Sequence, residues 1–79
     1  MKERIKQGIA VVKKVEVKEL DFGNDTDLIE EVGLTSIQIM NLIFYLESEF
    51  NIIFDDDDLD LENFQTINNI EKVVNKQHV

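Results

Sequence analysis

Residues 33–50 read GLTSIQIMNLIFYLESEF, and this stretch determines the central helix of the fold. Apolar side chains recur in this stretch every three or four positions, which is the period of an α-helix. Thr35 and Gln38 match a capping box of the form S/T-x-x-E/Q, in which each side chain accepts a hydrogen bond from the other residue's backbone N–H. The pattern therefore predicts a helix that begins at Ser36 and runs to about Phe50.

This helix is apolar on two opposite faces, although a small protein has only one core to fill. At 100° per residue, the face predicted to lie in the core collects Ile39, Leu42, Ile43, Leu46 and Phe50. The opposite face, called the outer stripe below, collects Ile37, Met40, Asn41, Phe44 and Ser48. A contiguous apolar stripe edged by acids usually marks a docking surface. The alternative is that the first helix, or the loop before residue 26, folds over this stripe.

A helix, a long loop and a single turn are predicted before residue 33. Ile5, Ile9 and Val12 share one helical stripe, so a first helix is expected from residue 2 to about residue 15. Residues 16–27 lose this period and collect Gly, Asn and Asp, which is typical of a surface loop. Residues 27–32 are expected to form one turn that Gly33 ends.

Two more helices are predicted after residue 50. Leu59, Leu61 and Phe64 indicate a short third helix capped by one of the aspartates, and Thr66 is expected to cap a last helix over residues 67–76. No stretch alternates long enough to indicate a strand. The prediction is an all-α single domain over residues 1–79. It is a four-helix bundle with three main helices, a short third helix and a long loop between helices one and two.

Charge and composition exclude several classes of function. The formal net charge is −9, and nucleic-acid affinity depends on Lys and Arg, so we expect no nucleic acid and a partner with a basic surface. There is no cysteine, no long apolar run and no signal-peptide pattern, so we expect a cytoplasmic protein without membrane contact. We also expect a monomer. Residues 55–58 are four aspartates, but the alternating ligands and the glycine of a calcium loop are absent. A solvated acidic face without a metal site is expected there.

Ser36 lies at the predicted N-terminus of the helix, where backbone N–H groups are unpaired and the helix dipole favours a phosphate. A second capping residue is the alternative. A nucleophilic serine needs an adjacent base, and the only histidine is His78, next to the C-terminal residue. We therefore expect no catalytic residue and no enzyme activity.

Three motifs, in this order and at these intervals, resemble the acyl carrier protein family, which includes peptidyl carrier domains. They are Gly33-Leu34-Thr35-Ser36-Ile37, Glu47-Ser48-Glu49-Phe50 and Thr66-Ile67. The resemblance covers about residues 25–75. The sequence departs from the family pattern at Thr35, where the family has an aspartate; threonine keeps the capping oxygen but removes a carboxylate beside Ser36.

The resemblance implies that Ser36 carries 4'-phosphopantetheine, which a phosphopantetheinyl transferase attaches from coenzyme A. The arm would supply the thiol that the chain lacks, and acyl or aminoacyl groups would travel on it as thioesters. An acyl-loading or adenylating enzyme and downstream synthase enzymes are the implied further partners. Together with Thr35, the implied partner-binding residues are Ile37, Met40, Asn41, Phe44 and Glu47.

Several pathways fit this resemblance: fatty-acid, polyketide or nonribosomal peptide biosynthesis, or the supply of D-alanine to cell-wall polymers. The box around Ser36 and the few acids in the helix favour a specialised pathway over bulk fatty-acid synthesis. The alternative from another class is an unmodified acidic adaptor that holds one partner through Ile37, Met40 and Phe44.

Overall fold

The computed structural model describes residues 1–77, which form three α-helices. They are α1 (Lys2–Lys13), α2 (Ser36–Phe50) and α3 (Ile67–Gln77). Short 3-10 turns occupy the connections at Val17–Glu19, Asp56–Asp58 and Leu61–Phe64. Residues 1–77 contain no strand. The predicted all-α bundle and its long first loop are therefore confirmed, while His78 lies outside the described residues.

The capping box that the sequence predicts defines the start of α2. Thr35 Oγ1 accepts a hydrogen bond from the Gln38 N–H at 3.1 Å, and Gln38 Oε1 accepts one from the Thr35 N–H at 3.0 Å. At the other end, Asn51 adopts the left-handed conformation with φ 54°, which closes the helix after Phe50. Both predicted ends of α2 are confirmed.

The first helix is shorter than predicted, because α1 ends at Lys13 and not near residue 15. Lys14 takes a left-handed conformation with φ 60°, and its N–H bonds back to the helix. The Val15 N–H then donates to the Ala10 carbonyl at 3.0 Å, which completes the closure. Glycine usually occupies such a position, so the lysine gave no signal that the helix stops there.

The short third helix consists of two 3-10 turns and not of one α-helix. Asp60 separates the turns and caps the second one, since its Oδ1 accepts a hydrogen bond from the Asn63 N–H at 3.0 Å. Leu59 and Leu61 are exposed, and only Phe64 of the three pattern residues is buried. The aspartate cap was predicted, but it restarts the turn within the segment instead of beginning a continuous helix.

The core lies between the three helices and contains the predicted inner face of α2. Ile39, Leu42, Leu46 and Phe50 are buried, and Ile43 packs against them while partly exposed. Helices α1 and α2 approach closely at Gly8. A Cβ at this position would lie only 2.7 Å from Tyr45 Cδ1, so the packing requires glycine or a shift of the tyrosine ring.

Arg4 fastens the beginning of α1 to the end of α2. Its Nη2 donates to the Glu49 carbonyl oxygen at 2.8 Å and to Glu49 Oε1 at 3.0 Å. Its guanidinium group lies 4.3 Å from the centre of the Phe50 ring, within the range of a cation–π contact. One arginine therefore satisfies an unpaired carbonyl at the C-terminal end of α2 and covers a core phenylalanine.

Candidate functional site

Ser36 is the first residue of α2, and its side chain is exposed. Within residues 1–77 its hydroxyl takes part in no hydrogen bond, because Thr35 supplies the capping oxygen. The backbone N–H groups of Ser36 and Ile37 are also unpaired in this part of the chain, whereas those of Thr35 and Gln38 are used in the capping box. The hydroxyl is therefore accessible and lies at the positive end of the helix dipole. The alternative of a second capping residue is not what the structure shows.

A single turn before α2 positions Ser36. Asp27 Oδ1 accepts hydrogen bonds from the N–H groups of Glu30 at 2.8 Å and Ile29 at 2.9 Å. The bond from Glu30 has the largest effect, and together with the bond from Ile29 it holds the pKa of the Asp27 carboxyl below its ordinary value, although partial burial acts in the opposite direction. Gly33 then ends the turn with φ 85°, a conformation that favours glycine. The predicted turn and its glycine stop are confirmed.

The start of α2 is also tied to the segment before α3. The Leu28 N–H donates to the Gln65 carbonyl at 2.7 Å, and Gln65 Nε2 donates to Asp27 Oδ2 at 2.9 Å. Leu28 and Leu34 are buried and fix both ends of the turn in the core. Sequence reasoning missed Gln65, because no local pattern relates it to a residue 38 positions earlier.

The outer stripe faces solvent. Ile37 is 70% exposed, Met40 52% and Phe44 59%, and Asn41 and Ser48 are exposed as well. Neither α1 nor the loop before residue 26 covers these side chains, so the alternative left open by the sequence is wrong. Large apolar side chains that stay exposed together on one helix face form the kind of patch that partner proteins use.

Glu47, at the far end of α2, has a structural contact that the sequence did not indicate. Its Oε2 accepts a hydrogen bond from the Phe54 N–H at 3.1 Å, and the side chain is half-buried. The ring of Phe54 in turn lies edge-on to Phe64, with 5.5 Å between the ring centres. Of the predicted partner-binding residues, Glu47 is half-buried and bonded to a segment outside α2. Thr35 is bonded to Gln38 in the capping box and is exposed, as are the residues of the outer stripe.

The four aspartates of residues 55–58 do not form a ligand cluster. Asp58 is buried and pairs with Lys76 Nζ at 2.8 Å, and Gln77 Nε2 donates to its other oxygen at 3.0 Å. The hydrogen bond with Lys76 is the main reason that the Asp58 pKa lies below its ordinary value, and it raises the Lys76 pKa. Residues 1–77 contain no group of three or more acidic or histidine side chains placed to hold a metal ion.

Comparison with known proteins identifies the family. A family model described as the phosphopantetheine attachment site matches residues 3–74. The chain belongs to the acyl carrier protein family. Acyl carrier proteins are carriers and not catalysts, and 4'-phosphopantetheine is their prosthetic group, so the predicted cofactor and the absence of enzyme activity are confirmed.

Several relatives are acyl or aminoacyl carriers. The chain is 31% identical over 74 residues to the acyl carrier protein of Buchnera aphidicola, an alignment that covers 94% of this chain and 84% of the relative. It is 30% identical over 67 residues to the acyl carrier protein of Thermotoga maritima, covering 85% and 80% of the two chains. It is 36% identical over 47 residues to aminoacyl carrier protein 1 of Bradyrhizobium diazoefficiens, covering 60% of this chain and 52% of the relative.

The region around Ser36 fits the prosthetic group. A phosphodiester needs an accessible hydroxyl and is favoured by unpaired N–H groups at a helix N-terminus, and α2 offers both. Proteins of this family interact with a transferase and with biosynthetic enzymes. Among the described helices, none has the length and apolar character required to cross a bilayer.

Proposed function

We propose that Ser36 is the residue to which 4'-phosphopantetheine is attached, and that the chain carries acyl or aminoacyl groups between enzymes. The observation that supports this most strongly is the exposed, unbonded Ser36 hydroxyl at the first position of α2. When bound, the group supplies the thiol that the cysteine-free chain lacks, and cargo is carried on it as a thioester.

In this proposal the protein supplies position and access. The capping box of Thr35 and Gln38 fixes the start of α2 without using the serine, so the Ser36 hydroxyl stays free for the transferase. The two unpaired N–H groups at Ser36 and Ile37 stabilise negative charge on a phosphate beside them. Ser36 contributes only the acceptor oxygen, and the base that deprotonates it belongs to the transferase.

The outer stripe is proposed as the surface that partner enzymes bind. These partners are a phosphopantetheinyl transferase, an acyl-loading or adenylating enzyme and downstream synthase enzymes. Thr35 and Ile37 lie beside the modified residue, and Met40, Asn41 and Phe44 continue the surface along α2. We place Glu47 at its edge, where one of its carboxylate oxygens already accepts a hydrogen bond from the Phe54 N–H.

Incubation with coenzyme A and a broad-specificity phosphopantetheinyl transferase, followed by intact mass measurement, tests the attachment site. Wild type should gain the mass of one phosphopantetheine group, and Ser36→Ala should gain nothing. Ser48→Ala is the matched control for the attachment site, because Ser48 is the only other serine and is also exposed on α2. Since Ser48 belongs to the outer stripe, the rate can change, but the mass gained at completion should equal that of wild type. Modification of Ser36→Ala would refute the assignment. A wild type that no transferase modifies would leave the unmodified adaptor as the better reading.

A second candidate within this function is an aminoacyl carrier, such as a carrier of D-alanine or of a residue for peptide assembly. The likeness to aminoacyl carrier protein 1 favours it. Loading of the modified chain with labelled amino acids by adenylating enzymes, compared with loading by acyltransferases, distinguishes the two.

We also propose that the carrier acts in the cytoplasm as a single monomeric domain.

A further inference from the structure

The outer stripe lacks charge, although the chain as a whole is strongly acidic. Residues 36–46, SIQIMNLIFYL, contain no acidic or basic side chain, whereas the chain has 17 Asp and Glu residues. Asn41 lies in the middle of the stripe, and the residues three and four positions away on either side are uncharged as well: Ile37, Gln38, Phe44 and Tyr45. The surface beside Ser36 is thus apolar with one amide at its centre.

Four of the acids that flank residues 36–46 in the sequence make contacts within the fold. Glu47 binds the Phe54 N–H, and Glu49 binds Arg4. On the other side, Asp27 caps its own turn, and Glu31 Oε2 accepts a hydrogen bond from the Asp27 N–H at 3.1 Å. A partner that binds the stripe therefore meets mainly apolar side chains, because the acids of α2 lie only after residue 46.

We infer that the transferase that acts on Ser36 docks on the outer stripe through apolar contacts and places a neutral surface, not a lysine or arginine, opposite Asn41. This rests on the proposed attachment at Ser36. A partner cation pressed against an amide among apolar side chains would lose its hydration without gaining an opposite charge. An apolar partner surface instead covers Ile37, Met40 and Phe44 and leaves the Asn41 amide to one hydrogen bond.

The acidic charge of the rest of the chain has a different role in this arrangement. A net charge of −9 acts at long range and raises the rate at which a basic partner arrives. The contacts in the bound complex come from the stripe, and an aromatic anchor such as Phe44 is typical of the centre of an interface. Long-range attraction is thus assigned to the acidic surface outside the stripe, and the contacts of the bound complex are assigned to the outer stripe.

The test introduces a negative or a positive charge at position 41. It measures KM for the carrier in the transferase reaction with coenzyme A, and the reaction is monitored by intact mass. If the facing surface is neutral, Asn41→Glu and Asn41→Lys should both raise KM, each by about tenfold or more, because either charge loses hydration on docking. Asn41→Gln should change KM by less than about threefold, because it keeps the amide. No charged residue lies at helical spacing from position 41, so neither variant gains an ion pair within α2.

Asn75→Glu and Asn75→Lys are the matched controls, because Asn75 is exposed on α3 and the same charges are introduced away from the stripe. They should leave KM near the wild-type value, and circular dichroism should show unchanged helix content in all variants. A lower or unchanged KM in Asn41→Glu together with a higher KM in Asn41→Lys would place a cation opposite Asn41 and overturn the inference. Unchanged KM in both variants would overturn it too, because the stripe would not be the docking surface. Failure to modify wild type would instead refute the proposed function.

Discussion

Truncation of a side chain on the inner face of α2 should lower folding stability, whereas truncation on the outer stripe should mainly weaken docking. The variants Leu46→Ala and Phe44→Ala allow the two effects to be compared. Leu46 is fully buried and Phe44 is 59% exposed. Loss of a fully buried leucine side chain costs about 2–5 kcal/mol of folding free energy. Full burial of a phenylalanine is worth about 1.5–3 kcal/mol, so the two-fifths of Phe44 already covered amount to about 0.6–1.2 kcal/mol. Phe44→Ala should therefore destabilise the fold much less than Leu46→Ala.

The same numbers give the expected effect of Phe44→Ala on docking. Covering the exposed 59% of the side chain is worth about 0.9–1.8 kcal/mol, which corresponds to a rise in KM of about 5- to 20-fold for the alanine variant. Urea denaturation gives the folding free energies, and the transferase reaction gives KM on the same samples. Equal loss of stability in both variants would show that Phe44 belongs to the core. Wild-type kinetics for Phe44→Ala would show that partners do not use it.

Two further predictions concern the cap beside Ser36 and the buried carboxylate. Thr35→Ala should lower the free energy of unfolding by about 1 kcal/mol, and Thr35→Asp should raise it by a few tenths, because aspartate keeps the cap and adds a favourable charge at the helix N-terminus; urea denaturation measures both. Asp58, whose pKa is lowered by Lys76, adds stability above its ordinary pKa of 3.8 that is lost as the pH falls through the lowered folded value. In Asp58→Asn, stability at pH 7 should be lower and its decline below pH 3.8 shallower; an acid titration as steep as in wild type would contradict this.

The sequence predicts α2 and its cap well because the signals are local. The capping box involves residues three positions apart, and the two apolar faces follow from the helical period alone. The Gly33 stop is also local, since a left-handed conformation after the turn favours glycine. These features place Ser36 before any tertiary contact is considered.

The features that the sequence does not reveal depend on contacts between distant segments. Asp27 meets Gln65 only after α3 has packed, and Glu47 turns towards Phe54 because the chain reverses after Asn51. The end of α1 was placed two residues too late, because Lys14 adopts a conformation for which lysine carries no signal. Likewise, the sequence predicts an aspartate cap in this segment, but it does not single out Asp60 or show that Asp60 separates two turns.

The bond from Glu47 to Phe54 affects how this carrier can move between enzymes. Phe54 contacts Phe64 through its ring, and Asn69 Nδ2 from α3 donates to the Glu62 carbonyl beside it. At the same end of α2, Arg4 binds Glu49 and so joins α1 to α2. The C-terminal end of α2 is thus connected to α1 through Arg4 and, through Phe54 and residues 61–64, to α3. We expect these links to resist a tilt of α2 alone, so that the arm proposed at Ser36 supplies most of the reach from one catalytic centre to the next.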